Sequence, residues 1–149
     1  GVVGPVTQWG KPPSGARFQI GTVAEGARRS VAILTDGPWL LGAGEVRGAF
    51  RIRLPAGHQA AFAATCEMLA ENKARSDGVT FRVLVVDGRP PQRELWARHV
   101  RQAGEPVRVD LSPWAGKEID LVLVSDSGPR DDYGWDLGAW IEPRIAVDE

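Results

Sequence analysis

The stretch VTFRVLVV at residues 79–86 decides the fold class, because it carries the clearest strand pattern of the chain. β-Branched and aromatic residues fill it, and Asp87-Gly88 follows as a turn signal. In AFRIRL at residues 49–54, three apolar residues share one face and two arginines share the other. Both segments therefore predict β-strands that turn an apolar face toward a core.

Further short segments of this kind recur along the chain, with turn residues between them. Strands are expected at residues 17–20, 30–34, 49–54, 59–65, 79–86, 94–100, 107–111, 119–124 and 139–147. Helix signals are sparse: residues 65–73 could form a short helical turn, and Ser112 could cap a tight turn with Pro113 at its first helical position. Pro143 interrupts the last strand, which suits an edge strand or a bulge. Roughly eight or nine short strands predict an all-β sandwich or barrel.

The bulk composition suits one globular domain. The 149 residues include 43% hydrophobic and 25% charged residues, and a single core fits this length. We expect residues 1–149 to form one domain, with an extended lead-in at residues 1–15. The chain begins at Gly1 without a basic-then-apolar leader, so we expect it to be a domain excised from a larger protein.

The charge balance and the apolar runs argue against two classes of partner. With 18 basic and 19 acidic residues the formal net charge is -1, whereas nucleic-acid and anionic-membrane surfaces favour a basic excess. No apolar run approaches the roughly 18 residues that cross a bilayer. We therefore expect neither a nucleic-acid partner nor membrane insertion. The single cysteine, Cys66, lies in an apolar stretch and predicts a buried thiol without a disulfide.

The common catalytic motifs are missing from the sequence. Residues 42–48, GAGEVRG, have one residue too many for a dinucleotide-binding glycine loop, and they lead into a predicted strand instead of a helix. There is no GxSxG or HExxH motif, and His58 and His99 lack the spacing of metal ligands. The sequence therefore predicts that the protein is not an enzyme.

An acidic group is the best remaining candidate for catalysis. Its members are Asp126, Asp131, Asp132 and Asp136, with Glu142 nearby in sequence. Two carboxylates can cleave a glycosidic bond when they face each other across a cleft, but a single loop does not naturally provide that geometry. One loop of carboxylates could instead accept hydrogen bonds from sugar hydroxyls, bind Ca²⁺ or cap a solvated turn. No cofactor is therefore required, and a structural calcium ion stays open as an alternative.

Five segments of the chain resemble the NPCBM family of carbohydrate-binding modules, which belongs to the galactose-binding-domain-like sandwiches. They are SDGVTFRV at 76–83, VDLS at 109–112, AGK at 115–117, LVLVSD at 121–126 and DLGAWIEPRI at 136–145. The resemblance covers roughly residues 61–145, and the closing segment is its most specific part. It implies a jelly-roll β-sandwich of two antiparallel sheets, no catalysis, and a parent protein that acts on glycans or sits at a cell surface.

A surplus of tryptophan indicates the same function. The chain has six Trp but only one Tyr and four Phe, which is more Trp than a core of this size usually needs. Sugars are bound by aromatic faces that pack against the ring and by planar polar side chains that bond neighbouring hydroxyls. The residues that suit these roles lie in predicted loops and are Trp135, Tyr133, Asp132, Asp131, Asp136, Trp39, Asn72 and Arg75.

The other tryptophans predict packing roles. Trp140 is expected in the core, Trp114 is expected to plug a turn, and Trp96 could be either a core residue or a flat platform on a sheet face. We therefore predict a non-catalytic carbohydrate-binding module that binds oligo- or polysaccharide. It is expected to be tethered to a larger secreted bacterial protein, outside the cell or at its surface. The alternatives are a structural or adhesive sandwich that docks onto its parent or a protein partner, and a small glycan-active enzyme.

Overall fold

Nine β-strands and one short 3-10 turn make up the described part of the chain. The computed structural model describes residues 17–25, 27–36, 45–69, 78–88, 91–101, 103–126 and 137–148. Its strands are β1 (Arg17–Glu25), β2 (Arg28–Asp36), β3 (Glu45–Arg53), β4 (Ala60–Met68), β5 (Val79–Val86), β6 (Arg93–Val100), β7 (Glu105–Asp110), β8 (Glu118–Asp126) and β9 (Leu137–Val147). The 3-10 turn at Ser112–Trp114 connects β7 to β8. The prediction of an all-β fold is confirmed.

The strands form two antiparallel sheets that pack face to face as a β-sandwich. The five-stranded sheet has the order β1-β2-β9-β4-β7, and the four-stranded sheet has the order β3-β8-β5-β6. Each described pair of neighbours is antiparallel. The connections β2–β3, β4–β5 and β8–β9 therefore cross from one sheet to the other, as expected for a sandwich.

The alternation along β5 explains how the sequence builds the core. Val79, Phe81, Val83 and Val85 are buried and belong to the main hydrophobic cluster between the sheets. The side chains between them lie on the outer face of the four-stranded sheet, because successive residues of a strand point to opposite faces. Trp140 of β9 is buried against Phe81, with ring centroids 5.1 Å apart at 90°. The prediction that Trp140 lies in the core is confirmed.

The helical turn predicted at residues 65–73 is wrong for residues 65–68, because β4 extends to Met68. Cys66 and Met68 belong to the core cluster, whereas Glu67 between them lies on the opposite face of the sheet. Both core residues pair with β9, and this pairing stabilises a strand over a helix. The buried thiol predicted at Cys66 is confirmed, and its burial raises its pKa above the ordinary range.

The turn predicted at Ser112 is a 3-10 turn, but the Ser112 side chain does not cap it. Instead, hydrogen bonds from Ser112 to the Asp110 carboxylate hold the turn and lower the pKa of Asp110. Trp114 is buried and its Nε1 donates to Asp87 Oδ2 at 3.0 Å, which confirms its predicted packing role. Trp96 packs half-buried against the core cluster, so the structure favours the first of its two predicted roles.

β9 lies in the middle of the five-stranded sheet and contains a bulge. Its register against β4 shifts between Ala63 and Thr65. On β9, Glu142 has a φ of 51°, a left-handed conformation that residues other than glycine rarely adopt, and Pro143 follows it. The interruption predicted at Pro143 is therefore a bulge and not an edge strand.

Candidate functional site

The strand ends that flank three connections meet at one end of the sandwich, which we call the converging end. They are Asp36, Glu45, Met68, Val79, Asp126 and Leu137. In the five-stranded sheet, the end of β2 pairs with the start of β9, and the end of β4 pairs with Gly138 one residue further. In the four-stranded sheet, the end of β8 pairs with the start of β3 and with Thr80 of β5. The connections β2–β3, β4–β5 and β8–β9 therefore begin and end at this one place.

A buried hydrogen bond joins the two sheets at the converging end. Thr35 Oγ1 of β2 donates to Ser125 Oγ of β8 at 2.8 Å, and it lies 3.3 Å from the carbonyl oxygen of Gly138. Both hydroxyl side chains are buried, where each needs a hydrogen-bond partner. Because β2 and β8 belong to different sheets, the bond fixes the position of one sheet against the other where the three connections leave.

All eight residues predicted to bind sugar lie outside the described residues. Trp39 lies in the connection at 37–44, and Asn72 and Arg75 lie in the connection at 70–77. The connection at 127–136 holds the other five, which are Asp131, Asp132, Tyr133, Trp135 and Asp136. The structure therefore brings together the strand ends that flank these residues, and the assignment of the side chains themselves stays a prediction.

Six polar side chains form a network on the outer face of the four-stranded sheet, next to the converging end. We call it the charged network, and its members are Glu45, Arg47, Arg82, Gln92, Glu94 and Asp126. At its centre, the Arg82 guanidinium pairs with Glu45 and lies 3.5 Å from Asp126 Oδ2. The same guanidinium lies 3.7 Å from Glu94 Oε1. Arg47 also pairs with Glu45, and its Nη1 donates to Gln92 Oε1 at 3.2 Å.

Apolar side chains form the floor beneath the charged network. Leu84, Val122 and Val124 are buried although they lie on the outer face of the sheet, and the aliphatic stems of long charged side chains can cover such residues. The Arg82 side chain is only 25% exposed. Among the described residues two arginines face three carboxylates, so this part of the network has one excess negative charge. It offers guanidinium, amide and carboxylate groups, which can donate hydrogen bonds to neighbouring sugar hydroxyls and accept hydrogen bonds from them.

Sequence reasoning missed most of the charged network. Arg82 lies in the strand predicted at residues 79–86, but the sequence did not identify a partner for it. Glu45 lies 37 positions away, and only the strand order β3-β8-β5-β6 brings its carboxylate to Arg82. No local signal in the sequence carries that information, because cross-strand partners are set by pairing and not by spacing along the chain.

The structure separates two members of the predicted acidic group. Asp126 lies in the four-stranded sheet beside Arg82, whereas Glu142 lies at the bulge of β9 in the five-stranded sheet. The Glu142 carboxylate pairs with Arg28 and accepts a hydrogen bond from Ser30 Oγ at 3.2 Å. Arg28, followed by Ser30, holds the pKa of Glu142 below its ordinary value. Glu142 therefore forms contacts that stabilise the bulge, and its position gives no geometric support to an acid–base role with Asp126.

This arrangement predicts that the charged Glu142 carboxylate adds to stability, fully so above its unfolded pKa of about 4.3. Because folding lowers the pKa, the contribution is lost as the pH falls through the lower, folded pKa. We expect Glu142→Gln to lower Tm slightly at about pH 7, with a smaller difference from the wild type at about pH 3. Thermal unfolding across this range checks it, with Glu118→Gln as the control. An equal Tm difference at both pH values would contradict the assignment.

The described residues include neither a metal-binding cluster nor a membrane-spanning helix. No group of three or more His, Cys, Asp or Glu side chains within them could hold a metal ion. Of the acidic group that could bind calcium, Asp126 lies within the described residues, and Asp131, Asp132 and Asp136 lie outside them, so a calcium ion at this group stays an open alternative. No helix in the described ranges is long and apolar enough to cross a membrane.

Sequence comparisons identify no family for this chain. No protein-family model matches it, so the resemblance to the NPCBM family stays a prediction. A curated relative, an uncharacterised protein of Archaeoglobus fulgidus, is 31% identical over 78 residues. The match covers 48% of this chain and 19% of the relative, so the aligned region spans about a fifth of the relative's length.

Two solved structures are similar to this chain in fold. CBM27-1 of Caldicellulosiruptor saccharolyticus, solved with mannohexaose, has a TM-score of 0.56 at 7% identity, over 97% of this chain and 87% of that one. TmCBM61, solved with beta-1,4-galactotriose, has a TM-score of 0.52 at 11% identity, over 96% of this chain and 92% of that one. At these identities the likeness shows the fold alone, which is the β-sandwich of these carbohydrate-binding modules.

Proposed function

We propose that this chain is a non-catalytic carbohydrate-binding module that binds oligo- or polysaccharide at the converging end. The observation that carries the proposal is the meeting of the strand ends that flank residues 37–44, 70–77 and 127–136. These three segments hold all eight residues whose chemistry suits sugar recognition. A rigid sandwich, joined here by Thr35 and Ser125, suits the presentation of binding loops.

The proposed residues divide into two chemical roles. Aromatic rings pack against the C–H face of a sugar, and this role is assigned to Trp135, Tyr133 and Trp39. Planar polar groups bond neighbouring hydroxyls, and this role is assigned to Asp131, Asp132, Asp136, Asn72 and Arg75. Each hydroxyl bond replaces a bond to water, so we expect weak binding per sugar and a gain in affinity with chain length.

The charged network extends the proposed site along the outer face of the four-stranded sheet. Its exposed member Gln92 and the neighbouring Arg47 could bond hydroxyls of a second sugar. The one excess negative charge of the described part of the network favours an uncharged glycan over an anionic one. Both similar structures were solved with uncharged oligosaccharides, mannohexaose and galactotriose, which supports the same ligand class.

The carboxylates of the charged network support a non-catalytic role. Glu45, Glu94 and Asp126 gather around the single guanidinium of Arg82 instead of facing one another across a cleft. Glycosidases need two carboxyl groups on opposite sides of the bond that they cleave. We therefore expect no release of reducing ends from any glycan that the protein binds.

The proposed module attaches a larger protein to glycan, outside the cell or at its surface, and needs no cofactor. The curated relative is about five times as long as the matched region, which is compatible with a parent that has further domains. Neither a nucleic acid nor membrane insertion forms part of the proposal. Glycan affinity that is unchanged by EDTA would support cofactor-free binding, and a loss restored by Ca²⁺ would show that binding requires calcium.

Trp135→Ala is expected to weaken glycan binding about tenfold or more, because it removes the main proposed stacking face. Asp132→Asn is expected to weaken it less, since an amide keeps one acceptor and adds donors. The measurement is retardation in affinity gels that contain galactans, mannans and glucans, followed by calorimetry on the best ligand. Circular dichroism and Tm establish that each variant is folded.

The matched control is Glu118→Gln, a carboxylate-to-amide change on β8 at the end of the strand opposite Asp126. It should leave affinity unchanged. If no glycan of the panel retards the wild type, the proposed function is wrong. If a glycan binds equally to Trp135→Ala, Asp132→Asn and the wild type, the function holds but the site lies elsewhere.

A further inference from the structure

An apolar cleft opens between the two sheets, on the side where the edge strands β1 and β3 lie close to each other. Its volume is about 340 Å³. Its lining comes from both sheets and includes Ile20, Val31, Ile33, Phe50, Ile52 and Ile145. Cavities that bind small molecules typically have about 300–1,000 Å³ and mostly apolar walls, so this cleft has the size and the lining of a ligand site.

Two large aliphatic side chains at the cleft are unusually exposed. Ile20 is 67% exposed and Val31 is 59% exposed. Ile20 pairs with Ile33, so it lies on the face of the five-stranded sheet that turns toward the core. The exposed apolar surface therefore continues directly into the interior between Phe50 and Ile145, and it differs from scattered aliphatic residues on an outer face.

One cationic residue in the described part of the chain lines the cleft. Arg144 is the charged residue among those that line it, and its Nη1 donates to the carbonyl oxygen of Glu142 at 2.9 Å. The Glu142 carboxylate pairs with Arg28. Arg28 and Glu142 are not among the residues that line the cleft, and their charges cancel. Among the described lining residues, Arg144 therefore leaves one excess positive charge beside the apolar cavity. An apolar ligand with an anionic head group complements both features.

We propose that the cleft binds one unbranched alkyl chain with a carboxylate head group, the chemistry of a fatty acid. The chain lies against Phe50, Ile52 and Ile145 in the interior, and the carboxylate faces Arg144 at the mouth. Ile20 and Val31 cover the first methylene groups on the five-stranded sheet. This site shares no residue with the proposed glycan site, so the two activities are independent.

Calorimetric titration with dodecanoate below its micelle concentration tests the proposal. We expect one dodecanoate per chain and about hundredfold weaker binding of octanoate, because each buried methylene contributes several-fold in affinity. Dodecyltrimethylammonium, with the same tail and a cationic head, should bind more weakly than dodecanoate. No binding of dodecanoate, or tighter binding of the cationic ligand, would overturn the proposal.

Matched variants locate the ligand. Val31→Glu places a carboxylate at the mouth and should weaken dodecanoate binding about tenfold or more, whereas Val147→Glu, at another exposed aliphatic residue of the same sheet, should not. Ile20→Gln gives the same test if Val31→Glu fails to fold. Equal affinity in all folded variants would overturn the proposal. So would sedimentation showing a dimer that only Val31→Glu or Ile20→Gln dissociates, because a second copy would then cover the cleft.

Discussion

Trp140→Ala is expected to lower the free energy of unfolding by about 3–5 kcal/mol, the range for a large aromatic residue removed from a core. Trp140 is fully buried and lies among three other rings. The ring centroids of Phe81, Phe62 and Trp96 are 5.1, 5.9 and 6.4 Å from that of Trp140. These rings come from both sheets, so the substitution leaves a cavity that neither sheet can close alone. For a chain of this length, Tm should fall by about 10 °C.

Trp140→Phe is the informative companion to that variant. Within the described part of the chain, Trp140 Nε1 is a buried donor without a hydrogen-bond partner, which itself costs stability. A phenylalanine at this position keeps part of the packing and removes the unpaired donor. Trp140→Phe should therefore lower the free energy of unfolding by less than half as much as Trp140→Ala. Chemical denaturation of both variants checks the comparison. Equal losses of unfolding free energy in the two variants would show that the indole N–H has a partner. A small loss for Trp140→Ala would contradict the packing role assigned to the Trp140 ring.

The strands of this fold could be predicted where alternation was strong, and their extents could not. The segment at 79–86 matches β5 residue for residue, because its alternate side chains separate a core face from an outer face. The segment at 59–65 stopped three residues short of the end of β4. Small residues fill that strand and give a weak pattern there, and pairing with β9 decided its length.

The position of the candidate site could not be predicted from the sequence, and the assignment of its side chains stays a prediction. The sequence indicated which segments hold aromatic and acidic residues, yet it gave no reason for the strand ends that flank residues 37–44 to lie beside those that flank residues 127–136. That reason is the pairing of Asp36 with Leu137 and of Glu45 with Asp126. Pairing between residues far apart in sequence follows from the topology of the whole sheet. The pattern along a single sequence does not determine that strand order.

Gly48→Ala is expected to destabilise the fold by about 1–3 kcal/mol, although alanine usually suits an ordinary backbone better than glycine. A Cβ on Gly48 would lie only 2.0 Å from Phe18 Cζ and 2.2 Å from Phe18 Cε1. The Phe18 ring is itself buried and packs 6.1 Å from Phe50, so it cannot move aside without disturbing the core. Overpacking should therefore outweigh the gain in backbone entropy, and urea denaturation measures the balance.

Gly21→Ala is the matched control, since Gly21 also lies in an edge strand. Its Cβ would meet Leu34 Cδ1 at 2.7 Å, but that methyl is the end of a flexible, half-buried side chain and can rotate away. We expect a cost below about 1 kcal/mol there. Phe18→Leu combined with Gly48→Ala should show positive coupling, because a smaller residue at 18 makes room for the new methyl. Strict additivity of the two changes would show that the cost at Gly48 does not come from contact with Phe18.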